Sequence, residues 1–185
     1  MKIAVYSGSF NPLHKGHLAI MEYLTHQGGF DWVYLIVTPQ NPFKQTHTLP
    51  AGQERFDAAV KAVARYPQLK VKVLDIELKM TPPQYTIRTL DALQKMEPEN
   101  NFTLVIGADN LAGFQGWLYH ERILKDYGVV VFPRKGYHRG HDRARLLKED
   151  PTYKITLLKA PLVNISSTQI RHHAAQGKDM SNWLM

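Results

Sequence analysis

Short apolar runs alternate with longer amphipathic stretches along the whole chain. The runs 3–6, 32–37, 71–76, 103–106, 129–132 and 155–158 have strand length and are rich in β-branched and aromatic residues. Between them, 18–26, 53–65, 86–96, 117–126 and 167–176 carry apolar residues three and four apart, which predicts helices. Phe56, Val60 and Val63 make one such stripe, and Ile87, Leu90 and Leu93 another. This order predicts an α/β chain, a parallel sheet with helices on both faces. Ligands of such sheets sit at the carboxyl ends of the strands, where the strand order reverses. The Pro-rich stretches 39–50 and 81–83 read as loops inside one domain, 1–185, and as walls for a substrate.

A chain of 185 residues can bury roughly two-thirds of its unfolded surface without crosslinks. It has no cysteine, which excludes thiolate nucleophiles, thiolate zinc sites and disulfides and fits a reducing compartment. No stretch of some 18 apolar residues is present, and the N-terminus runs straight into a strand. The expectation is a cytoplasmic protein with no membrane partner. The formal charge of +7 points to anionic partners. Much of it lies in one late segment, where Arg134, Lys135, Arg139, Arg143, Arg145 and Lys148 face only Asp142, a net +5. That segment reads as a loop running into a short helix.

Candidate chemistry begins behind the first strand, at Gly8-Ser9-Phe10-Asn11-Pro12-Leu13-His14-Lys15-Gly16-His17. A strand that breaks into a glycine-started loop and then a helix near Gly16 directs free N–H groups and a positive helix end at an anion. Gly8 would let the backbone approach that anion, and Pro12 would stiffen the loop. His14 and His17 add neutral donors, or cations when protonated. Their spacing also suits zinc, yet no third histidine or carboxylate is near in sequence, and a metal site leaves the glycine and proline unexplained. A second constellation, Asn164-Ile165-Ser166-Ser167-Thr168-Gln169-Ile170-Arg171, offers hydroxyls at a helix start with an arginine one turn on. Such hydroxyls cap the helix or donate to phosphate.

The two constellations together resemble the nucleotidyltransferase superfamily, and within it the bacterial nicotinate mononucleotide adenylyltransferases. The matching pieces also include 39–44, Tyr85-Thr86 with Thr89-Leu90, Ile106-Gly107-Ala108-Asp109, Phe114 with Trp117, and Arg134. Ser9 and Asn11 stand where many relatives have Thr and Asp, and Phe43 where many have His. The resemblance implies a Rossmann-like, doubly wound sheet and adenylyl transfer from ATP to a pyridine mononucleotide. By it, His14, His17 and Arg171 are catalytic. Gly8, Ser9, Phe10, Gly107, Asp109, Ser166 and Ser167 join them around ATP, with Asp109 at the ribose. Lys44, Thr86, Trp117, Leu118 and Arg134 receive the mononucleotide, Trp117 by stacking on its ring. Mg²⁺ is expected with ATP, held by substrate and water rather than by a protein ligand set.

Nicotinamide mononucleotide and phosphopantetheine are the alternative acceptors within that superfamily. A nucleic-acid module using 134–148 is the rival from another class. The sequence leaves open whether copies of the chain form a homo-oligomer. The terminal Trp183-Leu184 is expected to pack on the body.

Overall fold

The computed structural model describes residues 1–39, 51–162 and 165–185. Among these residues, six strands form one sheet: β1 (Lys2–Gly8), β2 (Trp32–Val37), β3 (Val71–Leu74), β4 (Asn101–Gly107), β5 (Val129–Phe132) and β6 (Ile155–Leu157). All five pairings are parallel, and the order is β3-β2-β1-β4-β5-β6. The chain steps outward from β1 to β3, then returns to lay β4 on the free side of β1. The order therefore reverses between β1 and β4, and the carboxyl ends of those two strands become the natural ligand position.

Among the described residues, seven α-helices flank the sheet: α1 (Lys15–His26), α2 (Gly52–Ala64), α3 (Thr86–Met96), α4 (Ala108–Ala112), α5 (His120–Arg122), α6 (Arg139–Glu149) and α7 (Ser167–Ala175). Strand side chains alternate between two apolar layers. Ala4, Tyr6 and Leu35 pack with Ile20, Met21 and Leu24 of α1 and with Ala59 and Ala62 of α2. Ile3, Val5, Ile36 and Ile106 pack with Ile87, Leu90 and Leu93 of α3, Leu111 of α4 and Leu146 of α6. Each aliphatic side chain buried this way stabilises by about 1.5–3 kcal/mol, so the two layers, more than helix propensity, hold the elements in place. Among the described residues, no helix is long and apolar enough to cross a membrane.

Four local expectations change. The run 71–76 ends as a strand at Leu74, and Ile76–Lys79 forms a 3₁₀ turn. In α2 the fully buried stripe is Arg55, Ala59 and Ala62, while Val60 of the predicted stripe is exposed. The predicted helix 117–126 is broken. Trp117 is extended (φ −78°, ψ 140°), Tyr119 is left-handed (φ 54°), and the short α5 leads into a π-helical turn, Ile123–Tyr127. Buried Phe114, His120 and Ile123 and half-buried Trp117 are spaced by three, which on an α-helix would drift by about 60° per step, so one continuous helix could not turn them all inward. Finally, Trp183 is 48% exposed rather than packed. Leu184 instead makes an antiparallel bridge to His14, and Met185 is buried with its carbonyl receiving Arg65 Nη1 at 2.6 Å.

Candidate active site

Behind β1 the backbone turns at Phe10, which is left-handed (φ 47°) and buried. Its ring folds back over Gly8, where a Cβ would lie 3.0 Å from the ring. Gly8 thus makes room for an aromatic ring, a use the glycine pattern did not reveal. Arg55, 3% exposed, donates from Nη1 to Ser9 O at 2.9 Å and to Thr38 O at 2.7 Å, which ties the loop to the end of β2.

The loop closes with two histidines that cap their own helix. His14 is the N-cap of α1, and its Nδ1 accepts from Gly16 N–H at 3.0 Å. His17 Nδ1 accepts from His14 N–H at 3.1 Å, and the two rings stack with centroids 3.6 Å apart. A ring nitrogen that accepts from an N–H carries no proton, so in each neutral ring the proton is on Nε2. The choice between neutral donor and cation is settled by the surroundings. Burial, helped by the Arg134 guanidinium, lowers His14 to about 4. Burial, His14 and Arg134 hold His17 well below the ordinary range. At neutral pH both residues are uncharged donors.

They line a cavity of about 280 Å³ together with Tyr6, Arg134, Ser166 and Arg171. The far wall is the start of α7. Ser166 and Gln169 cap each other, with Ser166 Oγ accepting from Gln169 N–H at 3.1 Å and Gln169 Oε1 from Ser166 N–H at 2.9 Å. Ser167 Oγ donates to Pro12 O at 2.8 Å, and Arg171 donates to Asn11 O and to Thr168 Oγ1. Ser166 is thus an N-cap, as the plainer reading had it. Ser167 and Arg171 stitch α7 to the histidine loop, so that the first N–H groups of α1 and α7 open on one space.

Asp109 lies in the first turn of α4, just past the end of β4. Its Oδ1 is buried, accepts no hydrogen bond among the described residues, and stands 3.4 Å from Arg134 Nε. A Cβ at Gly107 would fall 2.5 Å from that oxygen, so any larger residue there would displace the carboxylate. Arg134, expected beside the mononucleotide, also lies over the Phe132 ring at 5.6 Å and lines the histidine cavity. It stands with the histidine group, beside Asp109.

The other group is separate. Thr86 opens α3, which has no side-chain cap. Trp117 stacks on Phe114 with centroids 4.7 Å apart, and Leu118 beside it is 43% exposed. Among the described residues no hydrogen bond or ring contact joins Trp117 to the histidines. Lys44 and most of the 39–44 stretch lie outside the described residues.

The basic segment is largely consumed internally. Arg139 donates at 2.6 Å to both Val131 O and Leu158 O, Arg143 to Ile155 O at 2.8 Å, and Arg145 to Ala112 O at 3.0 Å. These arginines satisfy strand-end and helix-end carbonyls. Two contributors to the site, Tyr6 and Arg55, were missed by the sequence pattern. Tyr6 reads as one more apolar strand residue, and Arg55 as a surface cation of an amphipathic helix. Placing Arg55 on the stripe of Ala59 and Ala62 would have signalled its burial.

A doubly wound sheet with two helix starts, neutral histidines and arginines converging at its switch point defines a nucleotide-binding domain of the nucleotidyltransferase class. The chain belongs to the cytidylyltransferase-like family, whose sequence profile matches residues 5–173. It is 38% identical over 183 residues to a protein of Bacteroides fragilis named "probable nicotinate-nucleotide adenylyltransferase", covering 99% of this chain and 87% of that one. A protein of the same name from Flavobacterium johnsoniae is 37% identical over 184 residues, covering 100% and 92%. In fold it is similar to the Plasmodium falciparum nicotinic acid mononucleotide adenylyltransferase solved with NaAD. That match has a TM-score of 0.76 at 19% identity and covers 98% of this chain and 87% of that one.

Proposed function

We propose that this chain transfers the adenylyl group of ATP to nicotinate mononucleotide, giving nicotinate adenine dinucleotide and pyrophosphate, a step of NAD biosynthesis. The observation that carries the reading is the pair of stacked histidines, each with Nδ1 engaged by backbone and Nε2–H left to donate, facing Arg134 and Arg171 across one polar cavity. The names of the relatives supply the acceptor.

In such a transfer the 5′-phosphate of the mononucleotide attacks the α-phosphorus of ATP in line, and the bond to the pyrophosphate oxygen breaks. No protein nucleophile is needed. The chain must instead hold two polyanions together and stabilise charge on the transferring group and the departing pyrophosphate. His14 and His17 donate from Nε2 to the α-phosphoryl and bridging oxygens. The N–H groups at the start of α7, with Ser166, Ser167 and Arg171, take the β- and γ-phosphates, and Asp109 Oδ1 accepts from a ribose hydroxyl. Arg134, which lines the histidine cavity, neutralises the attacking phosphate. Trp117 stacks on the pyridine ring, whose positive charge suits an indole face. The uncapped N–H groups opening α3 at Thr86, with those near Leu118, receive the nicotinate carboxylate. An amide is a poorer partner for such donors.

Mg²⁺ enters this proposal only as the ion ATP carries. The described residues contain no cluster of three His, Cys, Asp or Glu side chains able to hold a metal. The cavity's donors suit phosphate oxygens rather than a cation. Nucleic acid has no part in the proposal, because Arg139, Arg143 and Arg145 already serve carbonyls within the fold.

The test incubates the protein with ATP, Mg²⁺ and each of nicotinate mononucleotide, nicotinamide mononucleotide and phosphopantetheine, following pyrophosphate release. Turnover is expected to be greatest with nicotinate mononucleotide. Turnover with phosphopantetheine alone, or with none of the three, overturns the proposal.

A further inference from the structure

The stretch that carries Trp117 is irregular and is tied from outside by side chains of a distant helix. It passes from a 3₁₀ turn (Phe114–Gly116) through extended Trp117 and left-handed Tyr119 to the three residues of α5, and its backbone is held by turn hydrogen bonds such as Trp117 N–H to Phe114 O at 3.0 Å. Phe114 supports one face of the indole from below. The lateral hold comes from Glu149, the last residue of α6, about thirty residues further along the chain.

One carboxylate reaches both flanks of the tryptophan. Glu149 Oε1 accepts from Gln115 Nε2 at 3.4 Å, two residues before Trp117. Glu149 Oε2 lies 2.8 Å from His120 Nε2, three residues after it, and accepts from Tyr153 O–H at 2.6 Å. His120 is buried and returns the tie to the backbone, its N–H donating to Trp117 O at 3.1 Å. Tyr153, also buried, meets the His120 ring edge-on at 6.3 Å. Hydrogen bonds from Tyr153 and His120 hold the Glu149 carboxyl below the usual carboxylate range, so it is ionised at neutral pH and accepts from all three partners.

We infer that Glu149, without touching either substrate, is a positioning residue for Trp117 and thereby sets affinity for the pyridine acceptor. The inference rests on the stacking role proposed for Trp117. A carboxylate that only braced the end of α6 would affect ATP and acceptor alike. One that sets the angle of a stacking platform affects the acceptor alone, because displacing a binding surface by an ångström already costs heavily.

The test measures kcat and both KM values for Glu149→Ala, Glu149→Gln, Gln115→Ala, Trp117→Ala and the double variant Glu149→Ala/Trp117→Ala. Glu149→Ala is expected to raise KM for nicotinate mononucleotide by roughly tenfold while KM for ATP stays within about twofold. Glu149→Gln, which keeps an acceptor for Tyr153 and His120, should recover most of that loss. In the Trp117→Ala background, Glu149→Ala should add nothing further, because the two act through one contact. If Glu149→Ala does not fold, Gln115→Ala, which cuts one flank of the tie at an exposed position, should still raise the acceptor KM alone. An acceptor KM that responds to Trp117→Ala but to neither Glu149→Ala nor Gln115→Ala overturns the inference and leaves the stacking role standing. No response to Trp117→Ala itself removes the stacking role. Parallel rises in both KM values assign Glu149 to general stability and overturn the inference.

Discussion

Acidification tests the state of the two histidines directly, because the fold resists their protonation. His14 titrates near 4 in the folded chain against the usual 6.5, chiefly through burial. Below pH 6.5 the unfolded chain takes up a proton that the native residue refuses, so the unfolded state binds more protons and stability falls with pH. The contribution is complete above pH 6.5, is lost progressively, and is gone below about 4. The gap between 6.5 and 4, at about 1.4 kcal/mol per pH unit, is worth about 3 kcal/mol. That is a large share of the roughly 5–15 kcal/mol typical of a domain. His17 is displaced in the same direction and deepens the loss. The assay is urea unfolding followed by circular dichroism between pH 7.5 and 4.5, for the wild type and for His14→Asn. Asparagine keeps a side-chain oxygen for Gly16 N–H but does not titrate. The variant should lose about 2.5 kcal/mol less over that range than the wild type, because the range stops short of pH 4. Titrating groups that do not interact with His14 cancel in the difference, and His17, freed of the part of its shift that His14 causes, keeps the larger part due to burial. Parallel curves for the two proteins would refute the account of His14 as a residue kept neutral by its surroundings.

Three further outcomes follow from particular contacts. His17→Ala should lower kcat on the order of 10²–10³-fold with little change in KM for ATP, since one preorganised donor to the transferring group is removed; equal effects on both would count against transition-state stabilisation. Gly107→Ala places a methyl 2.5 Å from Asp109 Oδ1 and 3.0 Å from the Phe132 ring. It should cost about 1–3 kcal/mol in stability and raise KM for ATP while sparing the acceptor, read by thermal melting and steady-state kinetics. Glu77, 3% exposed and hydrogen-bonded by Thr89 Oγ1 at 2.7 Å, is pushed up by burial to about 6. Its stabilising contribution is therefore complete below pH 4.5 and lost as pH rises through 6. Glu77→Gln should raise stability by up to about 2 kcal/mol at pH 7.5 and change little at pH 4.5, and an equal effect at both pH values would contradict the assignment.

The alternation of runs carried the fold because each run is nearly solid with apolar residues, as strands covered on both faces must be. β2 and β5 fall where their Val- and Ile-rich runs predict. The helical stretch 117–126 failed for an equally physical reason. A stripe at intervals of three resembles an amphipathic helix over one turn but cannot remain one over three. The same limit applies to α2, where two small alanines and a buried arginine form the inner face while a valine is exposed. Hydrophobicity ranks those residues the other way. In the site, the residue types of the two constellations were legible, but their pairing was not. That Ser167 and Arg171 bond to the carbonyls of Pro12 and Asn11 depends on the sheet bringing together segments some 155 residues apart. The tie from Glu149 to Gln115 and His120 was invisible for the same reason.

Neutral histidines next to two arginines would be a puzzle if the site's only purpose were to bind anions, since protonated rings would hold phosphate more strongly in the ground state. The capping geometry shows why neutrality is retained. To orient each ring, the loop spends its Nδ1 on a backbone N–H, and to exclude water it buries the pair against Phe10 and Tyr6. Both acts disfavour a second proton. In the proposed transfer, charge for attracting the substrates would come instead from the guanidinium groups of Arg134 and Arg171. The histidines would contribute directional hydrogen bonds aimed where charge develops in that transfer. Such bonds strengthen between ground state and transition state, whereas uniform attraction mainly tightens binding.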